Sequence, residues 1–181
     1  MDDKKLTDVI ERAIKGDVQA LGRLYDLFVD DIYGYVFYHV GNREDSEDIT
    51  SDVFLKVLKG IKQFIPTQVS FKAWLFKIAR NTVIDYYRKT SKIKKTVLNE
   101  DLIDSGMIDT NDVEIDRFTQ QLIKNAIAGL SSDQKDVVVL RFYAGLKINE
   151  IATLLGKSEE AIKALQHRAL KRLTKVLGGA N

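Results

Sequence analysis

The sequence has no cysteine, which excludes disulfides, thiolate metal sites and cysteine nucleophiles and fits a reducing compartment. It has a single proline, Pro66, so little interrupts helix formation along the chain. Its two histidines, His39 and His167, lie far apart in the sequence with no thiols or clustered carboxylates beside them, and no metal site is expected. No stretch approaches the roughly 18–20 uninterrupted apolar residues of a membrane span. The N-terminus, MDDKKLTDVIERAIKGD, is charged throughout and has no apolar core, so neither membrane insertion nor a secretory signal is expected. There is no GxxxxGK[ST] phosphate loop and no nucleophile–base pair, so no catalytic residue and no cofactor is expected. These absences point to a soluble, cytoplasmic protein that is not an enzyme.

What is present is an ordinary globular composition. Hydrophobic residues make up 45% and charged residues 30%, enough apolar content to rule out global disorder. The net charge of +2 hides local asymmetry, so overall charge says little about partners. Apolar residues recur at spacings of three and four, and the expected fold class is all-α: two small helical domains joined by a flexible linker.

The N-terminal domain is expected over residues 1–90, as a bundle of four helices. Leu6 to Lys15 forms the first, ending at Gly16. Asp17 caps the second, which carries Leu24, Phe28, Ile32 and Val36 on one stripe and stops near Gly41-Asn42. The third, from Arg43, starts with acidic turns that suit the helix dipole and buries Ile49, Val53, Val57 and Ile61. Phe64 to Ser70 reads as a loop around Pro66, and Ser70 caps the fourth, FKAWLFKIARNTVIDYYRK. Residues 91–116 lose periodicity and turn acidic, the pattern of a linker. The C-terminal domain spans 117–181: helical spacing over Arg117 to Gly129, a Ser131–Gln134 capping box, a helix ending at Gly145, and two further helices.

The most specific local signal is INEIATLLGKSEEAIKAL. Ile151 and Leu155 face inward, Ala152 allows close approach, Gly156 sits at the turn, Ser158 caps the second helix, and Ile162 and Leu165 anchor it. This is what a helix-turn-helix needs to present one helix to the major groove. The exposed face of that helix offers Lys163, Gln166, His167, Arg168 and Lys171, able to neutralise phosphates and read base edges. The fourth helix interleaves aromatics with Lys72, Lys77, Arg80, Arg88 and Lys89, a combination suited to single-stranded DNA; Trp74 is read as core. The acidic start of the third helix is either a solvated face or a dock for a basic helical partner. Two further readings stay open on these residues alone: a stand-alone helix-turn-helix regulator, and a helical hydrolase.

Three segments resemble a known family in that family's own order. DSEDITSDVFLKV resembles the helix by which extracytoplasmic-function (ECF) sigma factors of the sigma-70 family grip the β′ clamp of RNA polymerase. FKAWLFKIARNTVIDYYRK resembles the adjacent segment that melts and reads the minus-ten element, and LSSDQKDVVVLRFYAGLKINEIATLLGKSEEAIKALQHRALKRL resembles the domain that reads the minus-thirty-five element. The resemblance implies that the chain binds core RNA polymerase at the β′ clamp helices and β flap, and promoter DNA in duplex and single-stranded form. It implies polymerase contacts from Glu47, Asp48, Asp52, Val53 and Phe54. Minus-ten contacts would come from the loop bounded by Phe64 and Ser70, from Asn81 behind it, and from Lys77, Arg80, Asp85, Arg88 and Lys89. Minus-thirty-five contacts would come from Ser158, Lys163, Gln166, His167, Arg168 and Lys171. Relatives of this type are usually held by an anti-sigma factor, so such a partner is a further implication.

Overall fold

The computed structural model describes residues 3–94, 123 and 125–178, and among these residues there is no strand. The N-terminal bundle comprises α1 (Asp3–Ile14), α2 (Val18–Val40), α3 (Arg43–Gly60), a short 3-10 turn (Ile61–Gln63) and α4 (Phe71–Lys94). Local chemistry sets these boundaries. The Asp17 carboxylate accepts from the backbone N–H groups of Gln19 and Ala20 at 2.9 and 3.2 Å, satisfying two donors that the first turn of α2 leaves free. Asn42 does the same for α3, accepting from Asp45 N–H at 2.8 Å. Ser70 caps α4 through Ala73 N–H at 3.2 Å.

Helix α4 continues past Lys89 to Lys94, into the start of the stretch read as linker. Arg88, Lys89 and Lys92 are good helix formers and nothing there breaks the pattern. The rest of the expected linker, and most of the helix expected from Arg117, lie outside the described residues. Residues 125–128 are helical.

The C-terminal bundle comprises α5 (Ser132–Val138), a π-helical turn (Val139–Tyr143), α6 (Ile148–Leu155) and α7 (Glu159–Leu177). The expected capping box is present, Gln134 N–H donating to Ser131 Oγ and Ser131 N–H to Gln134 Oε1. The sequence suggests one continuous helix to Gly145. Instead its second half widens, with Ala144 N–H donating to Val139 O at 2.9 Å. Gly156 holds φ +63° at the turn between α6 and α7, a left-handed conformation costly for any residue with a Cβ. Ile151 and Ile162 lock the two helices together at 0% exposure; Leu155 is only half-buried, and Leu154 takes the deeper place.

The core runs without interruption from one bundle into the other. Leu24, Phe28, Ile32, Tyr35, Val53, Leu75 and Phe76 of the first share a single apolar cluster with Val137, Leu140, Leu146 and Ile151 of the second. Burying a Leu, Ile or Phe side chain is worth roughly 1.5–3 kcal/mol. The physical joints are α2 against the π-helical turn and α4 against α6. Two helical bundles were expected; that they pack directly on one another was not.

Candidate nucleic-acid interfaces

Three exposed faces carry most of the candidate residues. The first is the outer face of α3. Glu47, Asp48 and Asp52 are exposed there, with Glu47 accepting from Arg43 Nε at 2.7 Å one turn earlier. Asp45 is engaged inward, accepting from the Tyr86 hydroxyl at 2.6 Å. Burial, then that bond, pushes the Tyr86 hydroxyl up to about 12. Val53 and Phe54, expected on the same surface, are not on it. Val53 is fully enclosed and Phe54 is buried with its ring 4.7 Å from Tyr25. Val53 belongs to the stripe Ile49–Val53–Val57, so it supports the helix from inside. The apolar residues that do face outward are Leu55 and Leu58, about half exposed, roughly one and two turns beyond Asp52. Continuing the spacing Asp48–Asp52–Leu55 along the helix would have found them.

The second face is formed by the 64–70 loop and α4. Phe64 is buried, packed on Phe71 and Trp74 with ring centroids 5.5 and 5.1 Å away. It floors the loop rather than projecting from it. Trp74 is half-buried in the same aromatic group, consistent with a core role. Lys77, Asn81, Arg88 and Lys89 are exposed along α4. Asp85 lies 3.5 Å from Lys56 Nζ and 3.8 Å from Arg88 Nη1. A cleft of about 520 Å³ opens beside the loop, walled by Phe64, Val69 and Trp74 on one side and by Asn149, Glu150 and Thr153 of α6 on the other. Ser70 donates a short hydrogen bond to Glu150 across it.

Arg80, expected on this face, is engaged by the other bundle. Its Nε donates to Asp136 Oδ2 at 2.8 Å. The Tyr35 hydroxyl donates to Asp136 Oδ1 at 2.8 Å. His39 Nε2 comes within 3.2 Å of the same oxygen without the alignment of a hydrogen bond, so it adds charge attraction when protonated. Asp136 is 2% exposed. Burial pushes its carboxyl up, but His39, Arg80 and Tyr35 together outweigh that and hold it below its ordinary value. Burial, with the nearby Asp136 charge, drives the Tyr35 hydroxyl well above its ordinary range. Nothing local in the sequence marks this group, because its members lie in three separate helices.

The third face belongs to α7. Ser158 caps it, accepting from Ala161 N–H at 3.2 Å. Lys163, His167, Arg168 and Lys171 are exposed and Gln166 is half-buried beside them. Glu159 and Glu160 sit in the first turn. The Glu160 carboxyl is held below its ordinary value by its own backbone N–H and by Ser158. Among the described residues no group of three or more His, Asp or Glu is placed to hold a metal.

Residues 24–93 match the family Sigma-70 region 2, and residues 126–175 match Sigma-70, region 4. The chain is 36% identical over 178 residues to the ECF RNA polymerase sigma factor BldN of Streptomyces coelicolor, a match covering 97% of this chain and 67% of that protein. It is 33% identical over 158 residues to the ECF RNA polymerase sigma factor SigX of Bacillus subtilis, covering 84% and 80%. The chain belongs to the ECF sigma factors of the sigma-70 family. A member of this family is a promoter-recognising transcription initiation factor, and its relatives are not enzymes. Region 2 corresponds to the bundle bearing the first two faces, and region 4 to the bundle bearing α7. The sigma-factor fold is shared with CnrH in complex with the cytosolic domain of CnrY, at a TM-score of 0.72 and 20% identity over 96% of this chain and 97% of that one. It is shared with the sigma factor RpoE bound to the anti-sigma factor NepR from Bartonella quintana, at 0.73 and 22% over 91% and 100%. Among the described residues no helix is long and apolar enough to cross a membrane.

Proposed function

We propose that the outer face of α3 docks region 2 on the β′ clamp helices of core RNA polymerase, that the 64–70 loop and α4 read and open the minus-ten element, and that α7 reads the minus-thirty-five element. The observation that carries this reading is that one chain presents an acidic and apolar face on α3 and a basic face on α7, in two different bundles. Carboxylates at Asp48 and Asp52 beside exposed Leu55 and Leu58 suit a basic amphipathic helical partner. Lys163, Arg168 and Lys171 suit phosphates, with Gln166 and His167 beside them to read base edges. On α4, Lys77, Arg80, Asn81, Asp85, Arg88 and Lys89 line the path of the non-template strand. The cleft beside Phe64 and Ser70 receives a base turned out of the stack, a step that costs a few kcal/mol and that its walls offset in part.

The chemistry is non-catalytic: with no nucleotide hydrolysis by this chain, opening is driven by binding energy. Region 4 adds a contact to the β flap, the whole acting in the cytoplasm. An anti-sigma factor covering the polymerase-binding surfaces is the fitting negative regulator. A larger scaffold suits the geometry. The two promoter elements are centred about 25 base pairs apart, ~85 Å at 3.4 Å per pair. A compact chain of this length has a radius of gyration of only about 16 Å. The 30 residues between Lys94 and Asn125 reach at most about 100 Å when fully extended. The connector can span that distance but the closed chain does not cover it, so engaging both elements at once requires the regions to separate, and core polymerase is the scaffold that would hold them there.

The test is a binding titration against core polymerase. Asp48→Arg with Asp52→Arg is expected to weaken affinity at least about tenfold, the equivalent of 1.4 kcal/mol. Unchanged affinity would contradict the docking assignment.

A further inference from the structure

We propose that the cleft between the 64–70 loop and α6 is a binding site for a free nucleoside monophosphate, each bundle supplying one side of it. The proposal deepens the reading of this cleft as a receptor for a base, and differs from it in the ligand and in the part taken by α6. Three observations carry it.

First, the cleft has the size and walls of a small-molecule site. Its volume of about 520 Å³ lies within the roughly 300–1,000 Å³ that such sites enclose. Phe64, Val69 and Trp74 bring aromatic and apolar surface from region 2, and Leu154 brings aliphatic surface from α6. Phe64 and Trp74 brace each other at a centroid separation of 5.1 Å, and Phe71 supports both, at 5.5 and 5.6 Å. A braced aromatic wall facing an aliphatic one suits a flat heteroaromatic ring, which stacks on such a surface.

Second, the polar groups left free in the cleft suit the edge of a base. Glu150 is the one carboxylate among the described lining residues, and both of its oxygens are taken. Oε1 accepts from Ser70 Oγ, and Oε2 accepts from Lys147 N–H at 2.8 Å. What remains is Gln63 and Gln68 on one side and Asn149 on the other, all exposed. Their side-chain amides form no hydrogen bond among the described residues. An amide presents a donor and an acceptor together, the pattern that pairs with a base edge.

Third, the cations of the cleft are unpaired while their neighbours are not. Lys72 lies 2.9 Å from Asp31, Lys157 2.9 Å from Asp133 and Lys56 3.5 Å from Asp85. Lys77 of α4 and Lys147 at the start of α6 line the cleft, are exposed, and meet no carboxylate within ion-pair distance among the described residues. With two free ammonium groups and no free carboxylate, the cleft favours an anion over a cation. A phosphate seated there gains a charge-assisted donor from each bundle.

The chain has one tryptophan, Trp74, and it lines this cleft, so its fluorescence reports occupancy directly. The full chain is titrated with adenosine monophosphate and with guanosine monophosphate, exciting beyond their absorption. Saturable quenching with a dissociation constant below about 1 mM is expected for at least one of them. The matching nucleoside without its phosphate, and inorganic phosphate alone, should each bind at least about tenfold more weakly. Lys147→Ala and Asn149→Ala, at exposed positions on α6, should each weaken nucleotide binding by a similar factor. No saturable change with either nucleotide would overturn the proposal. So would equal affinity for the bare nucleoside, or full affinity in both α6 variants, which would leave the ligand on region 2 alone. A nucleotide within a strand shares this chemistry, so a minus-ten single strand is titrated alongside. Quenching by the strand but by neither mononucleotide would overturn the free-nucleotide site and leave the base-receptor reading standing.

Discussion

Val53 and Leu55 are two residues apart on α3 and chemically alike, yet one is fully enclosed and the other about half exposed. That contrast separates a residue that holds the fold from one available to a partner. Val53→Ala should destabilise the chain by about 2 kcal/mol through lost transfer energy and a residual cavity. Leu55→Asp should leave stability within about 0.5 kcal/mol, as surface changes do, while weakening core-polymerase binding. Denaturant unfolding paired with the binding titration checks both; the reverse pattern would mean that the face assignments are exchanged. The sequence resemblance put Val53 on the docking surface because it maps residues by position along a motif. The helical period of the same motif had already placed it in the buried stripe, and burial decides for the period.

Asp136 makes a pH-dependent prediction at the same scale. Its native carboxyl titrates below the ordinary value of 3.8. A lowered native pKa contributes stability that is present in full above the ordinary value and is lost as pH falls through the native one. The gap in thermal midpoint between the parent and Asp136→Asn should therefore persist from pH 8 down to about pH 5 and close only in strong acid. A gap that closed well above pH 5 would assign the stabilisation to a group other than the Asp136 carboxyl.

At the scale of elements, the helix-turn-helix was the most legible part of the molecule. Its signals are local: Gly156 in the left-handed region, Ser158 at the cap, Ile151 and Ile162 at helical spacing. The same holds for Asp17, Ser70 and the Ser131–Gln134 box, since a cap is decided by atoms within about one turn. The π-helical turn was not legible, because Val139 to Tyr143 carries no breaker and its widening aims Tyr143 at Gly34 of another helix. For α7 the prediction concerns function. Lys163→Ala with Arg168→Ala removes two cations from an exposed face, and each lost phosphate contact should lower the salt-dependence slope of duplex binding by about 0.9. Binding of the holoenzyme to minus-thirty-five duplex should weaken while core-polymerase affinity is retained. Loss of core affinity instead would place α7 on the polymerase.

At the scale of the whole molecule, the sequence conveyed two helical bundles and the order of their surfaces, but not the joint between them. Tyr35 and Asp136 are 101 residues apart, and Ser70 and Glu150 are 80 apart. Pairings at such separation depend on how finished surfaces meet, which neither periodicity nor motif encodes. The resemblance to sigma factors directs attention to the form mounted on polymerase, whereas the structure has the regions closed on one another.

The assignment of the three faces is tested most directly by run-off transcription with purified core polymerase on a library of randomised upstream sequences. The chain should select transcripts whose templates share both a minus-ten and a minus-thirty-five element at one fixed spacing, with no selected transcript when the chain is omitted. A chain that recovered a duplex site equally well without polymerase, or whose selected templates shared a single element at no fixed distance from the start, would contradict it.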